Sequence, residues 1–383
     1  MNFEFGTAQR IIFGQGCVDQ AQDIILGYGR RLLLITGKHN QYNNPITNQQ
    51  SITNQYEILQ IVSEKEPGIG FIQDSLKTIE GFRPDVVVSI GGGSVIDTGK
   101  ALAILSSNEG ELLDYLEVIG KGNPLTEESL PFIAIPTTAG TGSEATRNAV
   151  IHDQASGLKV SLRSPLMLPK VAMIDPLLTL GLPPEITAST GMDALTQVIE
   201  PLITRKANPI TDSICFHAVS IAREALLTAY HDPDNLEARE QMALVSLFGG
   251  MALANSGLGV VHGFAAAIGG MYPEIHHGQI CAALLPASFE INYQQSKSRP
   301  ENIRITNRME EITRLLAGNS QSNPGKNLKE LTSELGIPGL EKLGIEKNNY
   351  PIIIEKALKS SSMKGNPFDL SREELSRILD MSS

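Results

Sequence analysis

The chain has 383 residues, 41% of them hydrophobic and 19% charged, which is enough apolar material for packed cores and excludes wholesale disorder. Lys and Arg number 31 against 42 Asp and Glu, a formal net charge of −11 that argues against nucleic acid or an anionic membrane as the main partner. The three cysteines, Cys17, Cys215 and Cys281, are odd in number and far apart, so no disulfide framework is expected and a reducing, cytoplasmic setting is the default.

The opening MNFEFGTAQR lacks the apolar stretch of a signal peptide and the Arg/Ser bias of a transit peptide. The segment FEFGTAQRIIFG predicts a β-hairpin or edge pair. Beyond it, short apolar runs bounded by Gly or Pro alternate with helical stretches: Arg31–Thr36 (RLLLIT), Asp85–Ile90 (DVVVSI), Pro131–Pro136 (PFIAIP) and Val171–Asp175 (VAMID). Runs of this kind suit strands covered on both faces of a parallel sheet. A helix is expected over Thr98–Ser106, and the Asn/Gln-rich residues 38–56 read as a long surface loop. The pattern is that of an α/β domain with a nucleotide-type crevice at the strand C-termini.

The regime changes near Gly181–Pro184. Helical spacing then runs through Ile186–Ile203, Ile210–Tyr230, Arg239–Leu253, Asn302–Ala317, Asn327–Leu335, Tyr350–Ala357 and Ser371–Leu379, with no convincing strand. This predicts an all-helical second domain. Val245–Val261 (VSLFGGMALANSGLGVV) is the one stretch resembling a membrane span. It is short and carries four glycines with Asn255 and Ser256, so it reads as a buried helix pair.

Three glycines, Gly91, Gly92 and Gly93, followed by Ser94, directly follow the strand DVVVSI and open a helix. Such a turn lets backbone N–H groups and the helix dipole face an anion; the bland alternative is a tight turn with no ligand. It is not a Walker A loop, since Ser94 stands where its first glycine would be and Ala101 follows Lys100. A second polar turn, Thr137 to Glu144 (TTAGTGSE), follows the strand PFIAIP. Its hydroxyls suit ribose, pyrophosphate or a nicotinamide amide, or simply cap the next helix.

Asp193 and Gln197 share one face of a helix at i and i+4. Of seven histidines, His262, His276 and His277 lie within one short stretch, VHGFAAAIGGMYPEIHHG. Two imidazoles and a carboxylate are a common ligand set for a catalytic divalent metal. Capping or core histidines are the competing reading.

The segments GGGSVID (91–97), IPTTAGTGSEATRNAVI (135–151), VAMIDP (171–176), GMDALTQ (191–197), VHGFAAAIGG (261–270), HHGQICAALLP (276–286) and MKGNP (363–367) together resemble the iron-containing (group III) alcohol dehydrogenases. That superfamily also includes zinc-dependent glycerol dehydrogenase and dehydroquinate synthase. The resemblance implies an α/β N-terminal dinucleotide-binding domain with a Rossmann-like parallel sheet (1–181). It implies an all-α metal-binding, catalytic domain (182–383) after it, with a cleft holding cofactor and metal. By position, Gly92, Gly93, Ser94, Thr137, Thr138, Thr141, Thr146 and Lys159 would contact the cofactor. Gly93 and Ser94 would meet the pyrophosphate, Lys159 a ribose, and Asp97 would lie on the nicotinamide side. Asp193, His262 and His277 would hold Fe²⁺ or Zn²⁺.

Three positions depart from the family pattern. Gln197 stands where many members have a fourth, histidine ligand, and a carboxamide is weaker. Ala266 replaces a histidine that would relay a proton. His276 replaces the proline before the last ligand; His277, followed by Gly278, is the favoured ligand, and His276 a stand-in ligand or proton carrier. Gly37 ends the strand RLLLIT where NAD-preferring members often carry Asp. With Lys38 and His39 beside it, the balance favours NADP over NAD.

The expected activity is reversible, metal-dependent hydride transfer between a small alcohol or aldehyde and NAD(P), by a homodimer. The competing readings are a zinc-dependent polyol dehydrogenase, a lyase like the synthase, or a metal-free nucleotide-binding protein. The absence of Lys and Arg from GFAAAIGGMYP and GMDALTQVIE disfavours the lyase.

Overall fold

The structure, a computed structural model, describes residues 2–38, 46, 55–317 and 324–383. They fall into two compact units, one of Gly6–Thr138 with Gly142–Leu180, the other of Gly181–Ser383 with residues 2–5 and Ala139–Thr141. The expected loop at 38–56 lies almost wholly outside the described residues, as does His39.

Among the described residues the first unit has eight strands: β1 (Arg10–Phe13), β2 (Arg31–Thr36), β3 (Glu57–Val62), β4 (Val86–Gly91), β5 (Phe132–Pro136), β6 (Asn148–Asp153), β7 (Leu158–Arg163) and β8 (Val171–Ile174). Six of them make one sheet in the order β1-β8-β5-β4-β2-β3, with every pairing parallel. Leu32 to Ile35 and Val86 to Val88 are fully buried, as strands covered on both faces require. β6 and β7 form a separate antiparallel hairpin. The chain places β3 on one side of β2, then β4, β5 and β8 on the other. The order therefore reverses between β2 and β4, and open parallel sheets bind ligands at the strand C-termini of such a switch point.

The N-terminal expectation is corrected. Residues 2–9 hold no strand, and β1 is a lone edge strand pairing in parallel with β8, Arg10 opposite Val171. Its partner is remote in sequence, so no local turn signal marks it.

The Gly93–Leu105 helix follows β4 after one residue and buries most of its length. A Cβ on Gly99 would lie 2.0 Å from Ser89 Oγ and 2.6 Å from the Phe132 ring. Glycine there lets the helix sit directly on β4 and β5.

The second unit is helical. Its long helices are Pro184–Ile203, Pro209–His231, Leu236–Ser256, Val260–Met271 and His277–Lys297. Their ends are written in the sequence: Asn208 accepts from the N–H groups of Ile210 and Thr211 with Pro209 at the first turn, and Asn235 accepts from Ala238 N–H. Met192, Leu195, Val198, Ile199 and Leu202 of the first helix are buried, each contributing roughly 1.5–3 kcal/mol of apolar burial. Gly191 permits close packing, because a Cβ there would stand 2.2 Å from Leu226. The 245–261 segment falls across two helices, bent by 99° where Gly257 adopts φ 67°. No single described helix is long and apolar enough to cross a membrane.

Candidate metal centre

The Pro184–Ile203 helix carries Asp193, Thr196, Gln197 and Glu200 into an apolar core, each no more than 3% exposed. Burying charged and polar groups costs stability unless each is paired, so their partners define the site.

Asp193 is met by side chains from two other helices. His262, near the start of Val260–Met271, places Nε2 at 3.3 Å from Asp193 Oδ1. His277, the first residue of His277–Lys297, places Nε2 at 3.9 Å from the same oxygen. The two imidazole centroids are 5.5 Å apart. Cys281, one turn after His277, puts Sγ at 3.9 Å from His262 Nε2. One ligand atom from each of Asp193, His262, His277 and Cys281 lies within 4.8 Å of every other.

Close helix approach makes this possible. A Cβ on Gly278 would lie 1.9 Å from Ser189 O, so only glycine lets the His277–Lys297 helix come down on the Asp193 helix. The His262 ring is fixed from behind: its Nδ1 lies 2.7 Å from Glu200 Oε2, while Glu200 Oε1 accepts from Val261 N–H at 2.8 Å. A carboxylate on Nδ1 leaves Nε2 to point forward, the arrangement found behind metal-binding histidines.

The electrostatics suit a cation. Burial by itself pushes the Asp193 carboxyl up, yet the His262 hydrogen bond and the His277 charge bring it below its ordinary range. Burial also opposes ionisation of the Cys281 thiol, and the two imidazoles overcome it and lower its pKa. Against the same burial, the Cys281 and Asp193 anions raise both histidines.

Of the expected site residues, Asp193, His262 and His277 are brought together. His276 is not: it is the N-cap, with extended backbone (φ −60°, ψ 130°) and an exposed side chain. Gln197 lies one turn after Asp193, and its Nε2 donates to Gly140 O at 3.3 Å. That bond fixes the amide, leaving Oε1 buried with no hydrogen-bond partner. A buried acceptor lacking a donor is what an atom placed to meet a cation or a substrate hydroxyl looks like. Donor set and orphaned oxygen thus fit a divalent metal. Cys281 and Glu200 were not singled out by sequence reasoning. The i, i+4 spacing of His277 and Cys281 was a usable signal for the first; nothing local marks the second.

The expected cofactor residues lie in the first unit, Thr141 excepted. Gly37, Gly92 with Gly93 and Ser94, and Thr137 with Thr138 stand at the C-terminal ends of β2, β4 and β5, which are neighbours in the sheet. Thr137 N–H donates to Gly91 O at 3.0 Å, and a Cβ on Gly92 would lie 3.4 Å from Thr138 Oγ1. The helix N-cap Gly92 supplies no side-chain cap, so the first-turn N–H groups are not capped from their own N-cap residue.

Asp97 and Thr146 are engaged inside the protein. Asp97 accepts from Ser143 Oγ at 2.5 Å and from Val150 N–H at 2.9 Å. Lys100, wholly buried, lies 3.2 Å from Asp97 and donates to Ser143 O, Thr146 Oγ1 and Asn148 O. This network braces the turn after β5. Lys159, on β7, pairs with Glu66 at 2.7 Å.

A parallel sheet with glycine-rich strand ends and a helical unit enclosing a carboxylate–imidazole cluster describe a metal-containing nicotinamide oxidoreductase. Residues 8–176 match the iron-containing alcohol dehydrogenase family, and residues 187–383 match the C-terminal region of the same family. The chain is 33% identical over 375 residues to alcohol dehydrogenase 4 of Saccharomyces cerevisiae, spanning 96% of this chain and 95% of that protein. It is 36% identical over 318 residues to 1,3-propanediol dehydrogenase of Klebsiella pneumoniae, spanning 82% and 80%. The solved alcohol dehydrogenase from Oenococcus oeni aligns with a TM-score of 0.90 and 31% identity over 100% of both chains. The chain belongs to the iron-containing alcohol dehydrogenase family and is a metal-containing, NAD(P)-dependent oxidoreductase.

Proposed function

We propose that the enzyme interconverts a short primary alcohol and its aldehyde, using NADP(H) and one Fe²⁺ or Zn²⁺ held by Asp193, His262 and His277 with Gln197 beside them. The observation that carries this reading is the convergence of those three side chains, from three separate helices, within 4.8 Å of one another, with Asp193 and His262 buried and His277 half-buried. When bound, the metal supplies Lewis-acid polarisation of the substrate oxygen, which makes alkoxide formation accessible near neutral pH.

The chain's own residues do the rest. Asp193 offsets metal charge, and Glu200 holds the His262 ring with Nε2 forward. Gly93 and Ser94 offer backbone N–H groups and a helix dipole to the cofactor pyrophosphate. Thr137 and Thr138 offer hydroxyls at the next strand end. The hydride step itself belongs to the nicotinamide, which the protein positions. At the end of β2, Gly37 leaves room where a carboxylate would repel a 2′-phosphate, and Lys38 next to it is exposed. The names of the relatives, an alcohol dehydrogenase and a 1,3-propanediol dehydrogenase, favour short alcohols and diols. Three free, buried cysteines fit a cytoplasmic setting.

The test is metal analysis of the purified enzyme together with NADPH and NADH oxidation on short aldehydes and hydroxyaldehydes, before and after chelation. About one Fe or Zn per chain, with turnover lost on chelation and regained on adding metal, supports the reading. Folded protein that neither takes up metal nor turns over overturns it in favour of a nucleotide-binding protein.

A further inference from the structure

We propose that the thiolate of Cys281 is a ligand of the metal, so that the resting site is an Asp–His–His–Cys set. The proposal rests on the metal reading above and names a donor that reading does not include. Three observations carry it.

The first is geometry. Bonds of about 2.0–2.3 Å to a tetrahedral metal put neighbouring ligand atoms about 3.3–3.8 Å apart. The separations here are 3.3 Å for Asp193–His262, 3.9 Å for Asp193–His277 and 3.9 Å for His262–Cys281, with every pair inside 4.8 Å. Cys281 therefore brings a fourth donor atom into the group formed by Asp193, His262 and His277. The second is direction. His277 and Cys281 stand at i and i+4 of one helix, so the packing that delivers the imidazole delivers the sulfur. The third is the competing donor. Gln197 is tethered through Nε2 to Gly140 O, and its oxygen is neutral. A thiolate is charged and binds borderline-soft cations far more strongly than a carboxamide. On binding, the Cys281 thiol loses its proton to solvent as the sulfur–metal bond forms. A sulfur donor also biases the site toward Zn²⁺ relative to a set built only from nitrogen and oxygen.

Cobalt substitution tests this without reference to turnover. The chelated full-length enzyme is loaded with Co²⁺, and the visible d–d bands and near-ultraviolet absorption are recorded. The expected result is one Co²⁺ per chain with a sulfur-to-cobalt charge-transfer band. That band disappears in Cys281→Ser while the d–d bands persist, with Co²⁺ affinity lower by about 10- to 100-fold. Replacing Cys17 and Cys215 together leaves the band in place. Cobalt bound with d–d bands but no charge transfer, or a band that survives in Cys281→Ala, overturns the proposal and leaves the metal site standing. If Cys281→Ser fails to fold, the chain lacking Cys17 and Cys215 decides the matter alone, since its band can come only from Cys281. No cobalt uptake by the folded wild-type chain overturns the metal reading, and this proposal with it.

Discussion

His262 Nδ1 and Glu200 Oε2 stand 2.7 Å apart, both buried, with Glu200 two turns along the helix that carries Asp193. One helix thus supplies both the carboxylate in front of the imidazole and the carboxylate behind it. Glu200→Ala should free the ring and strip Val261 N–H of its acceptor, lowering metal affinity by about 10- to 100-fold. Glu200→Gln keeps an acceptor and should lose less. Competition with a chelator of known affinity measures both; equal affinity in wild type and Glu200→Ala would refute the orienting role.

Asp193 is the common partner of both imidazoles. Asp193→Ala should remove metal from the purified protein and lower kcat/KM by at least about three orders of magnitude, about 4 kcal/mol. Metal content and steady-state kinetics on one preparation check this. A variant that keeps stoichiometric metal would show that the ligands are elsewhere.

Gly278→Ala places a Cβ 1.9 Å from Ser189 O. The His277–Lys297 helix must then move off its neighbour, taking His277 and Cys281 with it. The expected cost is about 1–3 kcal/mol in stability, with a larger proportional loss of metal binding. Thermal melting with and without metal separates the two. Full metal affinity in this variant would mean that the helix approach does not set the site.

Glu144 is wholly buried, and burial pushes its carboxyl from 4.5 up to about 7, against the opposing pull of Lys100. The folded chain then holds a proton that the unfolded chain releases in that interval. This contribution to stability is complete below pH 4.5 and is lost as pH rises through about 7. Glu144→Gln should flatten the pH dependence of stability in that window, by at most about 3 kcal/mol. Denaturant melts at several pH values show it, and parallel curves for variant and wild type would contradict it.

Gly37→Asp should weaken NADPH binding by about tenfold or more, about 1.4 kcal/mol, by placing a carboxylate at the end of β2 where the proposal puts a 2′-phosphate. NADH should be unaffected or improved. Comparing KM for the two cofactors before and after the substitution decides it; an unchanged ratio places the adenosine ribose elsewhere.

Much of the fold was legible locally. The apolar runs RLLLIT, DVVVSI, PFIAIP and VAMID are strands in the parallel sheet, because short apolar runs bounded by Gly or Pro suit strands covered on both faces. The helices after Pro184 begin where Pro and Asn signals put them, within a few residues. Several elements lie outside that local reading, among them the His277–Lys297 helix that carries His277 and Cys281. The β6–β7 hairpin follows the hydroxyl-rich turn at 137–144 and pairs only with itself, and β3 is an edge strand with a weak pattern, half-buried along much of its length.

The class of most long segments, the glycine-rich strand ends and three residues with metal-ligand chemistry, Asp193, His262 and His277, are legible in the sequence alone, because these depend on residue type and short-range spacing. The sequence did not determine which of them meet. That Cys281 stands beside His262, that Glu200 backs the same ring, and that His276 turns away while His277 turns in follow from how three helices cross. That crossing rests on close approaches such as Gly278 against Ser189 and Gly191 against Leu226. Periodicity along a chain gives each helix its face. The angle and depth at which two faces meet depend on volumes contributed by residues far apart in sequence, and only the packed structure settles them.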